Sequence, residues 1–290
     1  MCVTCGCSDD AEGKITNLET GAVEHNHEHN HHDHTHTLPD GTVIMHSHHH
    51  QTHHEASQLH AKIRNTTISL EEDILAKNNL IAAQNRGWFK GRNILALNLM
   101  SSPGAGKTTL LTKTINDLKT QLSISVIEGD QETINDAKKI QETGCKVVQI
   151  NTGTGCHLDA SMIDRGLQQL NPPLDSIVMI ENVGNLVCPA LFDLGEQAKV
   201  VILSVTEGED KPIKYPHMFR ASEIMVLTKI DLLPYVQFDV QKCLEYARQV
   251  NPQIQIFQVS ATTGEGLDNW YAWLREKVAY PFSITLEREK

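Results

Sequence analysis

No apolar run in this sequence approaches the ~18 residues a membrane-spanning helix needs, so no membrane span is expected. No export signal opens it either: Met1-Cys2-Val3-Thr4-Cys5 is neither basic nor apolar enough. Positive charge is scarce as well. Twenty-five Lys and Arg stand against 36 Asp and Glu, a net −11 with histidine neutral. That balance argues against partnership with nucleic acid or with an anionic membrane surface. The deficit is uneven, since residues 1–60 hold nine acids and one lysine and so carry −8 of it. A disulfide framework is also unexpected. The cysteine count is seven, an odd number, and without export the chain is expected in the cytoplasm with its thiols reduced.

What the sequence does have is concentrated. Cys2, Cys5 and Cys7 form C-x-x-C-x-C. Three thiolates and an α-amino group make four donors within a few residues, a set that suits Ni(II) in a square plane or Zn(II) in a tetrahedron. Fourteen of the 16 histidines lie between His25 and His60. Residues 8–60 have too few apolar side chains to repay ordering, so a disordered tail is expected there. Neutral imidazoles bind Ni(II), Zn(II) and Cu(II), which makes the tail a metal buffer or store, or else a solvated spacer. As a flexible coil it has an r.m.s. reach of roughly 40 Å.

A helical lead-in is expected over 61–92. Ser69-Leu70-Glu71-Glu72 reads as a capping box, and Gly87 as the stop. From about residue 93 to 290 strands and helices alternate. Strands are predicted at 94–100, 124–129, 146–150, 176–181, 199–205, 223–228 and 254–259, and helices at 107–120, 131–143, 158–170, 239–250 and 266–279. Continuous apolar strands alternating with helices imply an α/β domain, with a mostly parallel sheet covered on both faces. Its ligands should bind at the C-terminal ends of the strands.

The first of those strand ends carries Ser101-Ser102-Pro103-Gly104-Ala105-Gly106-Lys107-Thr108-Thr109. Strand, glycine loop, Gly-Lys-Thr and helix together read as a phosphate loop, although Ser101 stands where the pattern's first glycine is usual. Backbone N–H groups from Gly104 to Thr109 would cradle phosphates, Lys107 would reach the β- and γ-phosphates, and the Thr108 hydroxyl would ligate Mg²⁺. Glu128-Gly129-Asp130-Gln131 follows the second strand, where Asp130 either positions water or Mg²⁺ or caps the next helix. Ile177-Val178-Met179-Ile180-Glu181-Asn182-Val183-Gly184 has the layout of a strand ending in a metal-site acid, then a γ-phosphate sensor at Gly184. Thr228-Lys229-Ile230-Asp231 resembles a guanine-reading motif: Asp231 can accept from N1–H and the exocyclic amine, and the Lys229 stem can lie on the base. Ser260-Ala261 would offer a backbone N–H to guanine O6. Four such motifs in order imply GTP. Cys156-His157 and Cys188 are three further ligands for Ni(II) or Zn(II), or else unrelated residues. Cys145 and Cys243 have no partners nearby in sequence and read as core or near-surface thiols.

Taken together, these stretches resemble the HypB family, GTPases that insert nickel into [NiFe]-hydrogenase and are related to UreG. The resemblance spans the cysteine start, the histidine tract, the phosphate loop, Glu-Gly-Asp-Gln, Glu-Asn-Val-Gly-Asn, Cys-His, Cys-Pro and Thr-Lys-Ile-Asp. It implies a P-loop NTPase fold and nickel on Cys2, Cys5 and Cys7. It also implies a second nickel or zinc site on Cys156, His157 and Cys188 at a nucleotide-dependent homodimer interface. The implied partners are the hydrogenase large subunit and a HypA-type nickel accessory protein. The implied catalytic set is Lys107, Asp130, Glu181 and Gly184. Two other readings stand beside it: a nickel store whose oligomerisation GTP controls, and an accessory GTPase for urease.

Overall fold

The computed structural model describes the backbone of residues 14–17, 23–25, 53–131 and 133–279, and side chains within 72–131 and 133–279. Cys2, Cys5, Cys7 and most of the histidine tract lie outside the described residues. Two short strands, β1 (Lys14–Asn17) and β2 (Val23–His25), fall within the stretch expected to lack structure.

The long helix α1 runs His53–Gly91. Ser69 therefore sits inside a helix and not at its cap, and Gly87 does not end it. No proline interrupts the segment, and Phe89 is fully buried. That burial outweighs the ~1 kcal/mol a mid-helix glycine costs. The stop comes at Asn93, whose φ is +55°. There the Ile94 N–H returns to the Phe89 carbonyl at 3.0 Å, a left-handed C-terminal motif.

Beyond α1 the chain alternates through β3 (Leu95–Ser101), α2 (Lys107–Leu118), β4 (Ile124–Asp130), α3 (Asn135–Gln141), β5 (Lys146–Asn151), α4 (Ala160–Leu170) and β6 (Ile177–Glu181). It continues through α5 (Cys188–Leu191), β7 (Ala198–Ser204), α6 (Lys211–Lys214), α7 (Pro216–Ala221), β8 (Ile224–Thr228), α8 (Val240–Val250), β9 (Gln255–Gln258) and α9 (Leu267–Ala279). All seven predicted strands form, and they pair in parallel in the order β5-β4-β6-β3-β7-β8-β9. β1 adds antiparallel to β5, with β2 beyond it.

The predicted helix at 131–143 shortens to α3 because the Asp130 carboxylate ties Thr133 into a turn first. At 158–170 and 239–250 the helices start one residue after Asp159 and Asp239, which cap the N–H groups of Met162 and Lys242. The short helices α5, α6 and α7 were not predicted.

β3, β6 and β8 are buried along their whole length, as expected for strands covered on both faces. One face packs against α2, α3 and α9, where Trp270 is buried and donates to Thr114 at 3.2 Å. The other meets Phe89 of α1 and α4 on one side and α7 and α8 on the other. After β3 the chain builds one half of the sheet, inserts β6 beside β3, then builds the other half. The C-terminal end of β3 is thus the point where strand order reverses, the place where an open α/β sheet forms a ligand crevice.

Candidate functional site

The phosphate loop leaves β3 at that crevice and turns into α2 with a left-handed backbone at Gly106. Lys107 Nζ donates to Glu181 Oε1 at 2.7 Å, and the Thr108 hydroxyl donates to the same oxygen at 2.6 Å. Glu181 is the last residue of β6 and only 1% exposed. Its second oxygen, Oε2, is buried with no hydrogen-bond partner. Three residues on, Gly184 lies against the loop: a Cβ there would come within 3.0 Å of Pro103 Cγ and 3.2 Å of its nitrogen. Gly184 is therefore seated on the phosphate loop, and no larger residue fits without a shift.

The segment Thr228–Asp231 is docked from the other side. The Thr228 hydroxyl donates to the Ala105 carbonyl at 2.6 Å, and Lys229 Nζ donates to the Gly104 carbonyl at 2.7 Å. Lys229 has φ +59°, and Asp231 follows in the 3₁₀ turn Ile230–Tyr235. The Ile230 N–H bonds the Val259 carbonyl, which brings Ser260 and Ala261 beside this turn. Ser260 is buried, and its hydroxyl accepts from the Thr263 N–H at 3.1 Å. Asp130 ends β4, and its Oδ2 accepts from both the N–H and the hydroxyl of Thr133. Burial alone would raise its pKa, but those bonds outweigh it and leave Asp130 below the usual carboxylate range.

Two acids at this site were missed by sequence reasoning. Glu128 is the cross-strand neighbour of Glu181 and is 2% exposed. Burial first, then the Glu181 and Asp130 charges, push its carboxyl up to about 9, so it is protonated at neutral pH. Glu207, just beyond β7, accepts from the Ser102 hydroxyl of the phosphate loop and from the Ser204 N–H. The signal for both was an acid at the C-terminal end of a strand, but it was read only at Asp130 and Glu181.

Thr108 and Glu181 supply hard oxygen donors in contact with each other, Glu181 Oε2 has no protein partner, and Asp130 lies two residues beyond Glu128, the cross-strand neighbour of Glu181. This donor set fits Mg²⁺.

The third group is the cluster Cys156, His157 and Cys188, whose ligand atoms all lie within 4.8 Å of one another. It is the one such group found among the described residues. Cys156 Sγ and His157 Nδ1 are 3.6 Å apart. The imidazole stacks on Phe192, centroid to centroid 3.9 Å. Burial lowers its pKa, which favours the neutral, ligating form. Two thiolates and an imidazole suit Ni(II) or Zn(II). None of Cys145, Cys156, Cys188 and Cys243 is disulfide-bonded. Cys145 and Cys243 are buried as core thiols, and burial pushes Cys243 up to about 12.

Phosphate loop and cluster share a segment. From Glu181 and Gly184 at the loop the chain passes Asn185, whose Nδ2 donates to the Cys156 carbonyl at 3.4 Å, and reaches Cys188. Buried Asn182 donates to Asn98 of β3 and accepts from the Leu158 N–H, next to His157.

A model of the CobW/HypB/UreG nucleotide-binding domain matches residues 95–258. The hydrogenase maturation factor HypB of Rhizobium leguminosarum bv. viciae is 58% identical over 212 residues, covering 73% of this chain and 71% of that protein. That of Cupriavidus necator is 44% identical over 324 aligned positions, covering 94% and 88%. The crystal structure of HypB from Helicobacter pylori in complex with nickel is similar at TM-score 0.67 and 36% identity, covering 72% of this chain and 98% of that one. With a family model over more than half its length and HypB relatives at 44% and 58% identity, the chain belongs to the HypB branch of the CobW/HypB/UreG family, with a P-loop nucleotide-binding domain.

Proposed function

We propose that this protein hydrolyses GTP and uses the nucleotide state to control the capture and release of Ni(II) during hydrogenase maturation. One observation carries the reading: a single segment, Glu181 to Cys188, contacts the phosphate loop at one end and belongs to the thiolate–imidazole cluster at the other. Glu181 Oε1 accepts from both Lys107 and Thr108. GTP brings phosphate oxygens that compete for Lys107, so Glu181 must give up that contact. The backbone at Gly184 then meets the γ-phosphate. Thr108, Glu181 and Asp130 would hold Mg²⁺, which would supply neutralising charge to the phosphates. Water attacks the γ-phosphorus, the bond to the β–γ bridging oxygen breaks, and GDP and phosphate leave. Lys107 stabilises the developing charge, and Asp130 or Glu181 orients the water.

Nickel is cargo in this scheme. Three ligands in one chain leave a site open, and a second copy across a two-fold axis would double the set. Val187 and Leu191, on either side of Cys188, are exposed apolar residues suited to such a contact. Zn(II) fits the same donors. The cargo's destination is the large subunit of a [NiFe]-hydrogenase, with a HypA-type protein as its companion. Cys2, Cys5 and Cys7 hold a separate nickel ion, and the histidine tract buffers the supply. A urease target is the second reading, favoured by a Helicobacter pylori relative named a hydrogenase/urease maturation factor, 36% identical over 227 residues.

The test follows phosphate release and nickel release in one reaction. Nickel should leave the wild-type chain in step with GTP turnover. Cys188→Ala should turn over GTP while carrying less nickel. Nickel release independent of turnover would refute the coupling.

A further inference from the structure

The thiolate–imidazole cluster is assembled from two halves that lie apart in sequence. One half is Cys156-His157, which runs into the first turn of α4. The other is Cys188 of α5, followed by Phe192, on which His157 stacks. Neither half is tied to the other by a strand pairing, yet α1 binds both.

Asn78 and Asn85 lie seven residues apart on α1, hence on one face of the helix. Both are buried, at 6% and 2% exposure. Asn78 accepts from the Ala160 N–H at 2.9 Å and donates to the Asp193 carbonyl at 2.8 Å. Asn85 uses both hydrogens of its amide, donating to the Ala160 carbonyl at 2.8 Å and the Leu194 carbonyl at 3.0 Å. Each side chain thus bridges the residue three places after His157 to the pair just after Phe192. Arg86 adds a contact from one nitrogen to both oxygens of Asp193, at 2.6 and 2.8 Å. Gly195 lets the helix come this close. Its φ is +91°, and a Cβ there would sit 2.6 Å from both the Ala82 carbonyl oxygen and Asn85 Cβ.

We propose that Asn78 and Asn85 are positioning residues for the metal cluster: acting through Ala160 and Asp193–Leu194, they set the spacing between Cys156-His157 and Cys188. The inference rests on the reading of that cluster as a metal site. Ligand sets held by outer hydrogen bonds typically lose about 10–100-fold in metal affinity when those bonds are removed. Helix α1 is also the element through which the histidine tract enters the domain, so anything that shifts it changes the cluster.

The experiment uses the full chain carrying Cys2→Ser, Cys5→Ser and Cys7→Ser, with Co(II) as the probe. Thiolate-to-cobalt charge-transfer bands then report on Cys156 and Cys188, because the tail offers imidazoles and neither Cys145 nor Cys243 belongs to a group of metal-ligating side chains among the described residues. Asn78→Ala/Asn85→Ala should weaken band-forming Co(II) binding by about tenfold or more and alter the ligand-field envelope, while GDP affinity stays at the parent's value. Asn85→Asp keeps the shape but loses both donors, and Gly195→Ala displaces α1 without removing a donor. Both should weaken binding in the same direction, and Leu80→Ala, on the exposed side of α1, should not. These two single variants decide the matter if the double variant does not fold. Parent-like affinity and spectrum in folded variants would overturn the positioning role alone. Absence of any band that Cys188→Ala removes from the parent would overturn the metal-site reading, and this inference with it.

Discussion

The nucleotide crevice and the metal cluster are neighbours on one sheet, but they are built differently. The crevice is made from strand ends. Lys107 and Thr108 bond Glu181, and Thr228 and Lys229 bond the loop carbonyls of Ala105 and Gly104, all at 2.6–2.7 Å. The cluster is made from the loop before α4 and the first residue of the short helix α5, with its three ligands within 4.8 Å of one another and its halves joined by Asn182 and Asn185 and, from outside the sheet, by α1. A site on strand ends is pre-organised by the core. A site on loops takes its geometry from whatever holds the loops, so its affinity can be moved. That difference fits the proposed role: a firm grip on the nucleotide and an adjustable one on a metal cargo.

The largest effect should come where the firm site reads its base. Asp231→Asn replaces an acceptor with an amide, which matches the extra carbonyl of xanthine. GTP should lose and XTP gain, with preference shifting by roughly 10²-fold or more. Competition binding measures it, and unchanged preference for GTP would remove Asp231 from guanine recognition. Next comes Glu181→Gln, which weakens the acceptor shared by Lys107 and Thr108. Phosphate release should fall about 10²-fold, as when one charge-stabilising contact is lost, while GDP binding changes little. If turnover is retained, Asp130 is left as the acid that positions water.

Smaller effects separate the two regions by their response to pH. Glu128 has a raised folded pKa, so its contribution to stability is greatest below about pH 4.5 and declines as pH rises towards 9. Glu128→Gln should therefore stabilise the ligand-free chain at pH 8 more than at pH 5, by about 1–3 kcal/mol. Thermal melts at the two pH values are the check, and equal shifts would contradict the burial argument. Asp193, in the α1 clamp, goes the other way. Burial would raise it, but the Arg86 and Gly195 N–H bonds and the Arg86 charge win and lower it. Its contribution is present above the unfolded carboxylate range and lost as pH falls through the lowered value. The pair is partly exposed, so Asp193→Asn should cost only about 0.2–1 kcal/mol at pH 7. As pH falls through that lowered value the cost should shrink towards nothing. A pH-independent cost would mean that packing matters here, not charge.

The two regions also differed in how far they could be read from sequence. Apolar runs ending in Ser101, Glu181 and Thr228 announce strands and their C-terminal chemistry within a few consecutive residues, so sheet and crevice were legible. Glu128 was not singled out, because its raised pKa depends on lying opposite Glu181, a pairing made through non-consecutive strands. Asn78 and Asn85 were invisible for a similar reason. A helix read for its apolar face gives no weight to two amides whose partners are more than 70 residues away. The helices α5, α6 and α7 are too short to show periodicity, and each begins near a proline. The extent of α1 was misjudged because Ser69 and Gly87 carry cap-like identities that an unbroken helix, packed through Asn78, Ala82, Asn85 and Phe89, overrides.

The central claim is that nucleotide state sets metal affinity at the cluster. Its most direct measurement is Ni(II) binding to the full chain carrying Cys2→Ser, Cys5→Ser and Cys7→Ser, in GDP and in a non-hydrolysable GTP analogue, with Cys188→Ala subtracted to isolate the cluster. The account predicts affinities that differ between the two states by about 5–150-fold, with an equal reciprocal effect of nickel on nucleotide affinity. Equal nickel affinities in the two states would contradict it, and hydrolysis could not then be what drives release.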